Sequence, residues 1–215
     1  MHRLALFAAS LAVLYLASPL SAQPAEVPEE YRAGPLDNGK MWLFEEPPVA
    51  YLDSTYDFRP DAAWFEQARR GALRIPGCSA AFVSPHGLVA TNHHCVRGRV
   101  VEVANEGETL LDDGFMAMSL DEERPIPGFY ADQLIAIADV TAEVEAELGG
   151  DDDPERVEAV MEALAERLTE ESGGEDAGMR VDVVARYEGG RVSAYTFQRY
   201  NLFRLVMAPE NALGC

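Results

Sequence analysis

The chain has 215 residues, of which 17 are Lys or Arg and 37 are Asp or Glu, giving a formal charge of −20. Nucleic-acid phosphates demand a basic surface, so this balance excludes a nucleic-acid binder and describes a well-solvated acidic exterior. At 48% apolar residues the chain can still build a sizeable core, as one large domain or two small ones.

Residues 1–22 read as an export signal. His2 and Arg3 give a short positive start, Leu4 to Leu16 is an uncharged apolar run, and Ser18-Pro19-Leu20-Ser21-Ala22 supplies small residues for cleavage. That run falls short of the roughly 20 residues that cross a bilayer, and no later stretch reaches the length, so no membrane anchor is expected. A mature chain starting near Gln23 would be periplasmic or secreted, where disulfides persist. Three cysteines then make one pair and one remainder. Cys78 and Cys95 flank a single hairpin and form the natural pair, closing a loop for which chain entropy gives roughly 3 kcal/mol. Cys215 is left over at the last residue, a position that suggests an early stop.

From Gln23 to Pro48 the chain is rich in Pro, Gly and acid and reads as an irregular arm, with the apolar island Met41-Trp42-Leu43-Phe44 packing on the body. Pro60 to Arg70 predicts a short helix capped by Asp61, with Trp64, Phe65 and Ala68 on one face. The period then changes. Ala80 to Val83 and Leu88 to Ala90 are apolar runs joined by Ser84-Pro85-His86-Gly87, whose second-position Pro and fourth-position Gly suit a type I turn, so they predict a hairpin. Val96 to Val103 reads as a continuing strand, Gly107 to Phe115 as a loop, and Gln133 to Val140 as another strand. Val157, Val160, Met161, Leu164 and Leu168 recur at helical spacing over Asp153 to Glu171, with Asp153 as cap and Pro154 in the first turn. Ser172-Gly173-Gly174 ends that helix. Strands return at Arg180 to Tyr187, Arg191 to Tyr200 and Leu202 to Met207. The order is mainly β with one inserted helix, which favours a barrel or sandwich.

Chemistry concentrates at His93-His94-Cys95. A hydrolytic histidine needs a rigid mount that fixes one tautomer while the other nitrogen faces a nucleophile, and the end of a stapled strand supplies one. A metal reading is weaker: three adjacent strand residues alternate between faces, so at most two reach one ion, and no metal or other cofactor is expected. Glu171-Ser172-Gly173-Gly174 imitates the surroundings of a nucleophilic serine, but it stands where a helix runs out and no Gly precedes Glu171. No Gly-x-Ser-x-Gly elbow occurs.

Cys78-Ser79-Ala80-Ala81-Phe82-Val83-Ser84-Pro85-His86-Gly87-Leu88-Val89 followed by Thr91-Asn92-His93-His94-Cys95 resembles the amino-terminal signature of the S46 peptidases. The likeness extends through Met41-Trp42, Asp113-Gly114-Phe115, Ile137-Ala138-Asp139-Val140-Thr141, Tyr187-Glu188-Gly189-Gly190 and Arg204-Leu205-Val206-Met207-Ala208-Pro209. The resemblance implies a trypsin-like double β-barrel, cut short in or after its first barrel. It further implies a Ser-His-Asp triad in the chain order His, Asp, Ser, and release of dipeptides from the free amino end of peptide substrates. Full-length members of the family are periplasmic or surface enzymes of Gram-negative bacteria and admit homodimers. His94 matches the catalytic histidine, and His93 should face the other way. The triad Asp and Ser would follow Cys215, so the 215 residues alone are expected to be inactive. The rival from another class is a standalone secreted β-rich binding protein that keeps the stapled hairpin as scaffold. Lys40 interrupts the family's Gly-Met-Trp, and Asn201-Leu202-Phe203 replaces its Asp-Val.

Overall fold

The computed structural model describes residues 42–214. The expected export signal, the arm up to Met41 and Cys215 lie outside the described residues. A six-stranded antiparallel sheet organises the fold, in the order β3-β2-β1-β6-β8-β7. Its strands are β1 (Ala72–Ile75), β2 (Cys78–Phe82), β3 (Val89–Thr91), β6 (Ala131–Asp139), β7 (Met179–Arg186) and β8 (Arg191–Tyr200). Two short pairs lie beside it: β4 (Phe115–Met116) with β10 (Met207–Ala208), and β5 (Arg124–Pro125) with β9 (Arg204–Leu205).

The hairpin predicted around Ser84-Pro85-His86-Gly87 forms β2 and β3, in register Ala80 to Thr91 through Phe82 to Val89. The Ser84 hydroxyl accepts from the Leu88 amide at 3.1 Å, which closes the turn from inside. The two long strands predicted over 180–187 and 191–200 pair as β7 and β8 across the Tyr187-Glu188-Gly189-Gly190 turn. β6 joins them along nearly its whole length, with one irregularity between Leu134 and Ala136. No closed barrel is found: among the described residues β3 and β7 each have one unpaired edge.

Helices are more numerous than the two expected, the short one capped by Asp61 and the long inserted one. α1 (Val49–Tyr56) and α2 (Ala62–Gly71) precede the sheet, and the Asp61 carboxylate caps α2 by accepting from the Trp64 amide at 2.8 Å. α3 (His93–Glu102) occupies the stretch read as a strand. The β-branched Val96, Val100, Val101 and Val103 suggested extension, but Val96, Val100, Val103 and Ala104 also recur at helical spacing. That face packs on the core, with Val100 fully buried and Val101 exposed. A four-residue turn, α4 (Leu110–Asp113), interrupts the expected loop. α5 (Thr141–Leu148) follows β6 directly: the Asp139 carboxylate accepts from the Thr141 amide and hydroxyl, and that hydroxyl accepts from the Val192 amide at 2.9 Å. α6 (Pro154–Glu171) is the predicted long helix, with Asp153 accepting from the amides of Glu155 and Arg156.

Two cores follow. Leu73, Ile75, Ala80, Val100, Leu110, Ile126, Phe129, Ala131, Leu205 and Ala208 form one, against which the Cys78 and Cys95 side chains pack. Val140, Val144, Val160, Leu164, Val181, Val192 and Ala194 form the other, where α5 and α6 cover β7 and β8. The apolar island at 42–44 meets the body through the Trp42 ring, 5.9 Å from that of Tyr51 on α1, while Phe44 stays partly exposed. The next two residues add ion pairs to this contact. Glu45 pairs with Arg186 and accepts from the Tyr195 hydroxyl at 2.8 Å, while Glu46 pairs with Arg191 and accepts from Tyr187. Burial would raise the Glu45 carboxyl, but the hydrogen bonds from Tyr195 and Arg186 outweigh it and hold the group below its ordinary range. Burial and the neighbouring carboxylate push the Tyr195 phenol up to about 12.

Candidate active site

His93 and His94 open α3, one residue after β3 ends at Thr91. Asn92 stands in extended conformation before them, and its carbonyl accepts from the Cys95 amide at 3.0 Å, which turns the chain from strand to helix. Thr91 donates its hydroxyl to the Ser79 carbonyl at 2.8 Å and ties the end of β3 to β2. A disulfide joins Cys95 to Cys78 at a Cα separation of 6.0 Å, so the first turn of α3 is bonded covalently to β2. The histidines therefore ride on a helix start rather than on a strand, and successive residues point about 100° apart rather than 180°.

The two rings have different surroundings. His94 is exposed, and its ring makes no hydrogen bond among the described residues. One of its ring nitrogens lies within 4.8 Å of the sulfurs of both Cys78 and Cys95. His93 is half-buried and turned elsewhere: its Nε2 is buried, and its ring lies against Gly214, where an added Cβ would come within 2.5 Å of Cγ and 2.7 Å of Nδ1. Glycine at 214 is thus a packing requirement of His93. The segment leading there is held by β4–β10 pairing and by the Asn211 amide donating to the Leu111 carbonyl at 2.6 Å. Gly114, at φ +74°, permits this approach, because its backbone passes close to Ala208 and Glu210. The motifs Asp113-Gly114-Phe115 and Arg204 to Pro209 therefore meet where β4 pairs with β10.

A charged clamp holds the far end of α3. Arg124 on β5 grips both oxygens of Glu108 and donates to the Val103 carbonyl at 3.1 Å, while Glu108 also accepts from the Asn105 amide at 2.7 Å. The Arg124 guanidinium, with the Asn105 amide, lowers the Glu108 carboxyl to about 2. Sequence reading missed this pair, because nothing local links residues 16 apart, one in a loop and one on β5. It also missed the grouping of Cys78 with His94 and Cys95; the metal set weighed there, His93 with His94 and Cys95, is not brought together, because His93 packs on Gly214.

Among the described residues no carboxylate or serine hydroxyl hydrogen-bonds His94. Ser172 stays at the end of α6, where its hydroxyl donates to the Leu168 carbonyl at 2.7 Å. An open groove of about 1630 Å³ runs between α5, α6 and β7, lined among others by Leu148, Met161, Ala165 and Val183, and does not include His94. What the site offers alone is an accessible imidazole on a covalently fixed mount.

Known proteins are similar to this chain over most of its length. Dipeptidyl-peptidase 7 of Porphyromonas gingivalis is 32% identical over 164 residues, covering 76% of this chain and 22% of that protein. The Asp/Glu-specific dipeptidyl-peptidase of Porphyromonas endodontalis is 32% identical over 142 residues, covering 64% of this chain and 20% of that protein. The chain thus spans about a fifth of the length of these curated relatives. The crystal structure of Porphyromonas endodontalis DPP11 in complex with the dipeptide Arg-Glu superposes with a TM-score of 0.67 at 28% identity, covering 82% of this chain and 27% of that one. The family model of peptidase S46 matches residues 36–215, and the chain belongs to the S46 peptidase family.

Proposed function

We propose that this chain carries the catalytic histidine of a serine-type dipeptidyl peptidase that releases dipeptides from the amino end of peptides. The observation that carries the reading is the placement of His94: exposed, on the first turn of α3, and adjacent to the cysteine that staples that turn to β2. In this role His94 takes the proton of a serine as it attacks the scissile carbonyl and returns it to the leaving amine. The open sheet around it would belong to the first of two trypsin-like barrels. The triad Asp and Ser are proposed to lie outside these 215 residues, in keeping with a ring that has no acceptor or nucleophile among the described residues. Residues 1–22 would direct the chain out of the cytoplasm, into the periplasm or medium of a Gram-negative bacterium.

Two assays test this. The chain alone should not hydrolyse dipeptidyl chromogenic substrates, since no acyl-enzyme forms without a nucleophile. Turnover by the chain alone that disappears in His94→Ala would refute that inactivity. A chimaera in which this chain replaces the matching portion of the Porphyromonas gingivalis dipeptidyl-peptidase 7 should be active, and His94→Ala should lower its kcat by about 10⁴ or more. Full activity of the His94→Ala chimaera would sink the assignment of the histidine.

A further inference from the structure

Cys78, Cys95 and His94 form the only group of three or more metal-capable His, Cys, Asp and Glu side chains among the described residues whose ligand atoms converge, all within 4.8 Å of one another. While the sulfurs are bonded to each other they have no thiolate lone pairs to give a metal. Reduction changes that with little movement of the backbone. Two thiolates on a tetrahedral Zn²⁺, at Zn–S about 2.3 Å, stand roughly 3.8 Å apart. Side-chain rotation alone spans this from Cα atoms that are 6.0 Å apart. Cys95 lies in the first turn of the ten-residue α3, next to the exposed His94. The exposed His94 supplies the third ligand and leaves a fourth position open to solvent.

We propose that the reduced form of this protein is a zinc-binding protein, with Cys78, Cys95 and His94 as its protein ligands. The disulfide thereby does more than staple α3: it keeps soft metal ions off the histidine. A phosphine reductant attacks one sulfur, water supplies the oxygen, and the products are two thiols and one phosphine oxide. Zn²⁺ then displaces two protons from the thiols and takes the His94 nitrogen lone pair. On the peptidase reading above, the metal-bound form has no free base, because that lone pair is committed.

Cobalt(II) gives the direct readout, since thiolate-to-cobalt charge transfer and intensified visible bands report a four-coordinate sulfur site. The full chain is used with Cys215→Ser, so that the third thiol cannot contribute. The expected result is that the oxidised protein shows no such bands and the phosphine-reduced protein does. Cys78→Ser should remove the two-sulfur signature. His94→Ala should weaken cobalt binding by more than about tenfold, the lower bound set by loss of even an outer partner of a metal ligand. His93→Ala, whose ring packs against Gly214, should leave the affinity unchanged. Circular dichroism guards against a trivial result: if reduction loosens the fold, Zn²⁺ must restore it. Four outcomes overturn the proposal: a reduced chain with no bands, bands indifferent to His94→Ala, bands weakened equally by His93→Ala, or an unfolded reduced chain that zinc does not refold. The assay reads metal alone, so its failure is separable from failure of the peptidase reading.

Discussion

Asp132 is the residue whose loss should cost this fold most per atom removed. Its carboxylate is 1% exposed in the middle of the sheet, between arginines from the strands on either side. Arg199 of β8 donates to it from Nε and Nη2, at 2.7 and 2.9 Å, and Arg74 of β1 donates at 3.1 Å. Arg74 also stacks on Phe197 at 4.2 Å, and Arg199 on Tyr130 at 3.9 Å, so both guanidiniums are held even without the acid. Removing one partner of a buried pair costs about 3–5 kcal/mol because the other charge stays buried. Here the arginine side chains are 45% and 30% exposed and can rehydrate, which puts Asp132→Ala at the low end, about 3 kcal/mol. For a domain of this size that is a fall in Tm of about 6–12 °C. Asp182, 24% exposed and shared between Arg74 and Arg180, is the internal control and should cost under about 1 kcal/mol as Asp182→Ala. Urea denaturation followed by circular dichroism measures both. Burial would raise the Asp132 carboxyl, yet Arg199 and Arg74 together hold it below its ordinary range. A depressed folded pKa means its contribution is complete above the unfolded value of about 3.9 and is lost as pH falls through the folded one. The gap between wild type and Asp132→Ala should therefore stay constant from neutral pH to about 5 and close at lower pH. Equal costs for Asp132→Ala and Asp182→Ala, or a gap that widens on acidification, would show that the buried ion cluster is not what stabilises the sheet.

Glu108 should titrate near 2 by carbon NMR and return toward about 4.3 in Arg124→Gln, since the guanidinium is the main cause of its shift; an unchanged titration in the variant would remove the clamp from the account of α3. Gly178→Ala should destabilise by about 2 kcal/mol or more, because its φ of +75° is strained for any Cβ and that Cβ would stand 2.7 Å from the Arg199 carbonyl oxygen. Full stability of the Gly178→Ala chain in urea would contradict that geometry. Amide exchange across α3 should accelerate more than exchange across α6 in the Cys78→Ser, Cys95→Ser double variant, and uniform acceleration of both helices would show that the staple acts globally rather than on the histidine mount.

What was legible in the sequence is what local pattern can encode. α6 has a cap, a first-turn proline, a five-residue apolar stripe and a Gly-Gly stop, and each feature is local. The β2–β3 hairpin and the β7–β8 pair are likewise written in alternation and turn residues. α3 was misread because two local signals conflict there: four valines favour extension, whereas their spacing favours a helix, and packing of Val100 into the first core decides. Asp132 was invisible for another reason. It stands just before the apolar run read as a strand from Gln133, and only the pairing of β6 with β1 and β8, from 58 and 67 positions away, surrounds it with arginine. The family motif around His94 was legible, while the helical setting of that residue was not.

That setting explains why the staple is where it is. α3 has ten residues, a length marginal for an isolated helix, and carries Gly98 in its interior, which costs about 1 kcal/mol relative to alanine. It buries one side chain fully, Val100, worth roughly 1.5–3 kcal/mol, so packing alone barely offsets the ordering of the segment. The missing stabilisation enters at its two ends. The Cys78–Cys95 bond fixes the first turn to β2, with chain entropy of roughly 3 kcal/mol for a loop of that length, and the Arg124–Glu108 clamp fixes the loop that follows the last turn to β5. A histidine placed next to the covalent end inherits the position of a strand rather than the mobility of a short helix. The general-base role proposed for His94 needs that positional constancy, because misplacement by about 1 Å can cost a hundredfold in rate.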